Sequence, residues 1–214
     1  MLFRRRAQTR GERLAAADLA RAHGRLRRAV AGYRRVLAEH GDDPHVHGRL
    51  APLLARLDDA EGARASFRTA ALGHARAGFL DRALAVYVQA RAQFPLEADF
   101  HAEAARIHLL RGRRADAALA LARGGRALGR TQRADAIEML RGALALHPTH
   151  LDATLALAPL LCRDGRRDEA LELLGGLEPD VAGRALRRVR GALFRAAPSP
   201  GAAWRWLSAA LGRR

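Results

Sequence analysis

Apolar residues along this chain recur at helical spacing, and many of them are small. Ala83, Tyr87 and Ala90 stand at i, i+4 and i+7, and Ala63, Phe67 and Ala70 repeat that arrangement one element earlier. On a helix these positions share a face, where alanines let a neighbouring helix come close and the aromatic ring fills the gap between pairs. No stretch shows the strict alternation of a half-buried strand, and β-branched residues are scarce, so intrinsic propensity favours helix nearly throughout. Turn residues at Gly24, Asp58, Gly78, Gly112, Gly129 to Thr131 and Gly165 punctuate the pattern, and Pro44, Pro95 and Pro148 fall between helices, where a missing N–H costs nothing. Together they predict about twelve helices, near 11–23, 26–40, 45–57, 60–77, 80–94, 97–110, 114–128, 132–146, 150–163, 167–176, 181–196 and 201–212.

The helices repeat with a long period. Three independent alanine series keep the same spacings of 54 and then 53 residues: Ala29, Ala83 and Ala136; Ala51, Ala105 and Ala158; Ala63, Ala117 and Ala170. Biased composition does not hold three markers in one register, so the repeat is genuine. Each period contains three helices. Pro52 and Pro159 occupy corresponding mid-helix positions, where each removes a backbone hydrogen bond and is expected to bend its helix.

These residues resemble the tetratricopeptide repeat family, whose 34-residue unit sets a leucine and a small residue on the first helix against an alanine and an aromatic on the second, then closes with proline. Residues 44–77 carry Leu50, Ala51, Leu54, Ala63, Phe67 and Ala70 in those places, and residues 151–180 carry Leu157, Ala158, Leu161, Gly165, Ala170 and Leu174. No unit has the family's early tryptophan. The three-helix period further means that some helices serve as the second of one pair and the first of the next. The resemblance implies an all-α solenoid, a right-handed superhelix of helical hairpins. Its expected divisions are a basic segment at 1–10, the repeat array at 11–180 and basic capping helices at 181–214.

The chain has 214 residues, and all 38 of its basic residues are arginine. Absence of lysine excludes a P-loop, a cofactor Schiff base and a kinase-type phosphate lysine. Cys162 is the single cysteine, so neither an internal disulfide nor a cysteine-rich metal site is available, and a reducing compartment fits. Met1 to Arg6 is basic but leads into no apolar stretch, and no run approaches the roughly 20 residues of a membrane span, which predicts a soluble, cytoplasmic protein. The net charge of +16 is concentrated at the ends. Residues 1–35 hold eleven arginines against Glu12 and Asp18, residues 182–214 hold eight arginines and no acid, and the body between them is near neutral.

Nothing in the pattern marks a catalytic centre. His101-Ala102-Glu103 has the spacing of a zinc-deaminase triplet without the paired cysteines that chemistry needs. His40, His45 and His47 flank Asp42 and Asp43 around a turn, but residues two apart on a helix do not face the same way, so a solvated loop is the expected reading. No metal, cofactor or catalytic residue is predicted.

The expected function is that of a non-catalytic interaction scaffold. By register with the family, Arg56, Arg106, Leu109 and Arg163 would face a concave groove that takes a peptide or partner helix, and arginine suits acidic segments through charge-assisted pairing. The family's clamp for chaperone tails relies on lysine and asparagine, which are absent, so that specificity is not implied. A second reading gives the arginine-rich ends a polyanion, nucleic acid or an anionic membrane surface, with Arg184, Arg187, Arg188 and Arg190 presenting together on one helix. After the breaker Pro198 to Gly201, Trp204, Leu207 and Leu211 form an apolar stripe expected to cover the end of the array. Trp206 points away from it and is expected to pack on the preceding helix.

Overall fold

A computed structural model describes residues 9–210. Among these, twelve α-helices and one 3-10 turn account for all regular structure. The helices are α1 (Arg10–Ala22), α2 (Leu26–His40), α3 (Pro44–Arg56), α4 (Ala60–Arg76), α5 (Leu80–Gln93), α6 (Ala98–Leu110), α7 (Arg114–Leu128), α8 (Arg133–Leu146), α9 (Leu151–Arg163), α10 (Arg167–Leu177), α11 (Gly183–Ala196) and α12 (Pro200–Ala210). Every expected helix is present, with ends displaced by one or two residues. Met1 to Arg6 and Leu211 lie outside the described residues.

The turns show why the helices stop where they do. Gly24, Asp58, Gly78, Gly112 and Gly165 all have positive φ, and after each the next N–H returns to a carbonyl near the helix end, as from Arg25 to Ala20 at 2.9 Å and from Arg166 to Leu161 at 2.9 Å. That pair of features is the Schellman close, which satisfies the last carbonyls of a helix. Asp58, at φ 62°, is the residue whose side chain makes this conformation costly. Between α7 and α8 the chain departs from the scheme. Gly129 stays helical at φ −56°, and the N–H groups of Thr131 and Gln132 both bond to Leu128, at 3.0 and 2.8 Å.

The chain forms two compact units, Met1–Phe94 and Pro95–Arg214. In the first, α1 packs on α2 and α3 on α4, with α5 against both α4 and α3. Its core gathers Ala17, Tyr33, Val36, Leu50, Leu53 and Leu54. Phe94 closes it by meeting Phe67 edge to face, with ring centroids 6.4 Å apart. In the second unit α7 lies between α6 and α8, α9 pairs with α10 and touches α11, and α11 pairs with α12. Leu140, Leu157, Leu161, Leu174 and Val189 form its centre.

All nine marker alanines are buried, none more than 2% exposed. The helices α4 and α7 each pack on the helix before and the helix after, which is the sharing that the three-helix period requires. On α7 this double contact selects the smallest residues. A Cβ on Gly124 would meet His101 Cβ at 2.7 Å from one side and Met139 Sδ at 2.8 Å from the other.

Pro52 and Pro159 do not end their helices, since α3 and α9 each run four residues further. Proline has no N–H, so the carbonyls of Gly48 and Leu155 lose the donors that a regular helix would supply.

Candidate interaction surface

The helices α9 and α11 are first members of successive hairpins and lie side by side. Between them runs a cleft of about 250 Å³ lined by Leu155, Ala158, Pro159, Cys162 and Arg163 from α9 and by Ala192, Arg195 and Ala196 from α11. Helical spacing builds each wall: Leu155, Pro159 and Arg163 rise at intervals of four, as do Ala192 and Ala196. The alanines leave the floor open and apolar. Arg163 and Arg195 are exposed, and neither has an ion-pair partner among the described residues.

The other three groove residues expected from register stand elsewhere. Arg56 is exposed at the last turn of α3, in the first unit, with no ion-pair partner among the described residues. Arg106 points its guanidinium at its own helix, with Nε and Nη2 donating to Glu103 Oε2 at 3.0 and 2.7 Å. Leu109 is 42% exposed and sits beside the more exposed Leu110. Of the four, only Arg163 lines the cleft. Sequence reasoning missed Leu155, Ala192, Arg195 and Ala196. The in-register Pro159 was the available signal for this region.

The four arginines of the basic end patch differ in their surroundings. Arg188 donates to Asp152 at 2.8 Å, and Arg190 donates to Glu178 at 2.7 Å and to the Arg205 carbonyl at 3.4 Å. Arg188 holds the Asp152 carboxyl below its usual range. Two of the four guanidinium groups are therefore spent on acids that are distant in sequence. Arg184 and Arg187 remain exposed and without an ion-pair partner among the described residues.

On α12 the expected packing of Trp206 on the preceding helix is present, and the expected covering by Trp204 and Leu207 is corrected. Trp206, not Trp204, packs on α11, its ring stacked on Phe194 with centroids 6.1 Å apart and planes 1° from parallel. Gly191 makes the slot, since a Cβ there would lie 3.0 Å from Trp206 Nε1. Trp204 and Leu207 face outward at 64% and 46% exposure.

The histidines have structural surroundings. His101 is buried, with Nε2 3.0 Å from the Pro95 carbonyl. His47 reaches Asp42 at 3.1 Å, whereas His45 turns away to meet the buried His74 edge to face at 4.7 Å. Burial, together with His45 and Arg82, pushes His74 below the ordinary histidine range. Burial also acts on Asp43, but the N–H groups of His45 and Val46 and the Arg10 guanidinium outweigh it and hold that carboxyl low. No group of three or more His, Cys, Asp or Glu side chains among the described residues is arranged to hold a metal ion. No described helix is long and apolar enough to cross a membrane.

A node in the first unit ties three helices together. Asp18 on α1 accepts from the Tyr33 hydroxyl of α2 at 2.6 Å and from Arg49 of α3 at 2.7 Å. Burial and the Asp18 hydrogen bond push the Tyr33 phenol up to about 12.

Family models described as tetratricopeptide repeat match residues 14–73, 68–127 and 127–193. Solved structures with similar chain paths include YrrB, titled as a protein of this repeat class with an unusual peptide-binding site, at 17% identity over 90% of this chain and 89% of that one, TM-score 0.41. Another is a repeat protein from Parabacteroides merdae, at 13% identity over 94% and 92%, TM-score 0.34. MamA is similar at 20% identity over 65% and 91%, TM-score 0.35. A search of curated proteins finds no match.

Proposed function

Because the chain belongs to the tetratricopeptide repeat family, whose repeats generally act as protein–protein interaction scaffolds, we propose that it is a non-catalytic adaptor holding a peptide segment of a partner protein against first helices of its hairpins. The observation that carries this reading is the cleft between α9 and α11, where an apolar floor opens between two arginines that have no acidic partner among the described residues. Some other arginines are paired across helices, as Arg34 with Asp59 at 2.8 Å and Arg141 with Glu169 at 2.5 Å, while Arg56, Arg184 and Arg187 also lack an ion-pair partner among the described residues. Small-molecule sites usually span about 300–1,000 Å³ and enclose their ligand. An open cleft below that range suits a side chain presented by a larger partner. Arg106 and Leu109 of the same unit are secondary contacts in this proposal, with Arg106 the weaker because Glu103 already occupies it, and Arg56 of the first unit is proposed as a separate contact.

The test is selection of short peptides from a displayed random library against the full chain, followed by retesting against Arg163→Glu. Clones that bind the wild type and fail on the variant support docking at this cleft. A consensus that binds both equally would move the interaction to another surface.

A further inference from the structure

The cleft has more chemistry than an apolar floor. The geometry points to an acidic peptide segment as its occupant, one apolar side chain flanked on both sides by carboxylates, and this inference rests on the adaptor reading above. Three observations support it. Between the arginines the lining is Ala158, Pro159, Ala192 and Ala196, small apolar side chains that leave the space open. Arg163 on α9 and Arg195 on α11 stand on opposite walls, so a chain crossing the cleft would meet one guanidinium on each side of the inserted residue. Neither has an ion-pair partner among the described residues, and planar guanidinium groups pair carboxylates in forked, charge-assisted bonds.

The third observation is Pro159. It denies the Leu155 carbonyl its helical donor, and Leu155 and Pro159 both line the cleft. An extended peptide has a backbone N–H to offer there, and a nucleic acid backbone or a lipid phosphate has none. Of the anionic partners available, an apolar floor beside a carbonyl without its regular helical donor favours a peptide.

Cys162 makes the site observable, being the only cysteine in the chain and lining the same cleft. The probe is a fluorescein-labelled octapeptide with one leucine between two pairs of aspartates, read by anisotropy on the full chain and by slowing of Cys162 alkylation. Its counterpart carries asparagines in place of the aspartates. The acidic probe is expected to bind about tenfold or more tightly than the neutral one, as two charge-assisted contacts imply. That preference should vanish in Arg163→Gln/Arg195→Gln. Pro159→Ala restores the helical hydrogen bond without removing a charge and strengthens the helix, so it should fold, and it should weaken both probes severalfold. Alkylation of Cys162 should slow in proportion to occupancy.

Equal affinity of the two probes, with Cys162 still protected, would overturn the acidic specificity and leave peptide docking standing. Failure of both probes to protect Cys162 would overturn this inference. Failure also of the library-selected peptides to protect it would overturn the adaptor reading at this cleft. Protection by duplex DNA of matched charge, insensitive to Pro159→Ala, would replace the peptide with a polyanion.

Discussion

Adding one methyl group in two places should move stability in opposite directions. Gly125 lies in the last turn of α7 in the second unit, where an added Cβ would meet Leu140 Cγ at 2.5 Å and the Ala136 carbonyl oxygen at 2.9 Å. Leu140 is fully buried, and the carbonyl belongs to the backbone of α8, so neither neighbour gives way cheaply. Overpacking of this kind costs about 1–3 kcal/mol. Alanine recovers roughly 1 kcal/mol of helix propensity over glycine. With backbone on one side the cost sits toward the upper end, and Gly125→Ala should destabilise by about 1–2 kcal/mol net. For a chain of this length that is a fall in Tm of roughly 2–8 °C. Gly175 in α10 is the matched control, since nothing lies within 4 Å of a Cβ built there. Gly175→Ala should stabilise by about 0.5–1 kcal/mol through propensity alone. Thermal unfolding followed by circular dichroism at 222 nm measures both. A Gly125→Ala protein melting at or above the wild type would refute the claim that α7 meets α8 here with no room for a side chain.

Alkaline pH offers a second check. With no lysine in the chain, the raised Tyr33 phenol stands out against a sparse alkaline background. The folded Tyr33 phenol is raised to about 12, so its stability contribution is full below pH 10 and is lost as pH rises from 10 to 12. Denaturant midpoints should fall across that window by an amount equivalent to roughly 2–3 kcal/mol, and Tyr33→Phe should flatten the fall. An unchanged slope in the variant would exclude the phenol as its source. Ala117→Trp, which puts an indole where a fully buried methyl stands, should destabilise by a few kcal/mol, and an unaltered melt would deny that Ala117 is a helix contact. On heparin, Arg184→Gln/Arg187→Gln should elute at lower salt than wild type, and Arg188→Gln/Arg190→Gln should change elution less, because those two groups are already paired. The reverse order would restore the four-arginine patch.

The architecture was legible because its determinants are local and repeated. Ala83, Ala105 and Ala117 announce close helix approaches wherever they stand, and Gly24, Gly78 and Gly112 announce the left-handed residue that closes a helix. The turn after α7 was harder to place because Thr131 stands where a glycine would, and the chain closes it through Leu128 instead. The surface was less legible. Register put Arg56 and Arg163 in equivalent places and Arg106 one turn earlier on the same expected face, but Glu103 sits one turn from Arg106 and captures it, whereas Arg163 has no such neighbour. The cleft itself depends on Ala192 and Ala196 of a different hairpin, a juxtaposition that periodicity within one helix does not encode. The stripe of Trp204 and Leu207 on α12 suggested a covering face that the structure leaves exposed, because Gly191 on α11 makes room for Trp206 instead.

Helices with two obligations limit how such a chain can change its length. If an ancestor lost a 34-residue slice ending after α4, the join would leave α5 facing a helix that was never shaped to receive it. The same holds for α7 and α8. The smallest segment that can be copied or lost with every face still matched is three helices, 53 or 54 residues in this chain. Descendants should therefore grow and shrink by threes, and a gene in this lineage should show duplication boundaries at the loops around Pro44, Pro95 and Pro148, not inside the segments that encode α4 or α7.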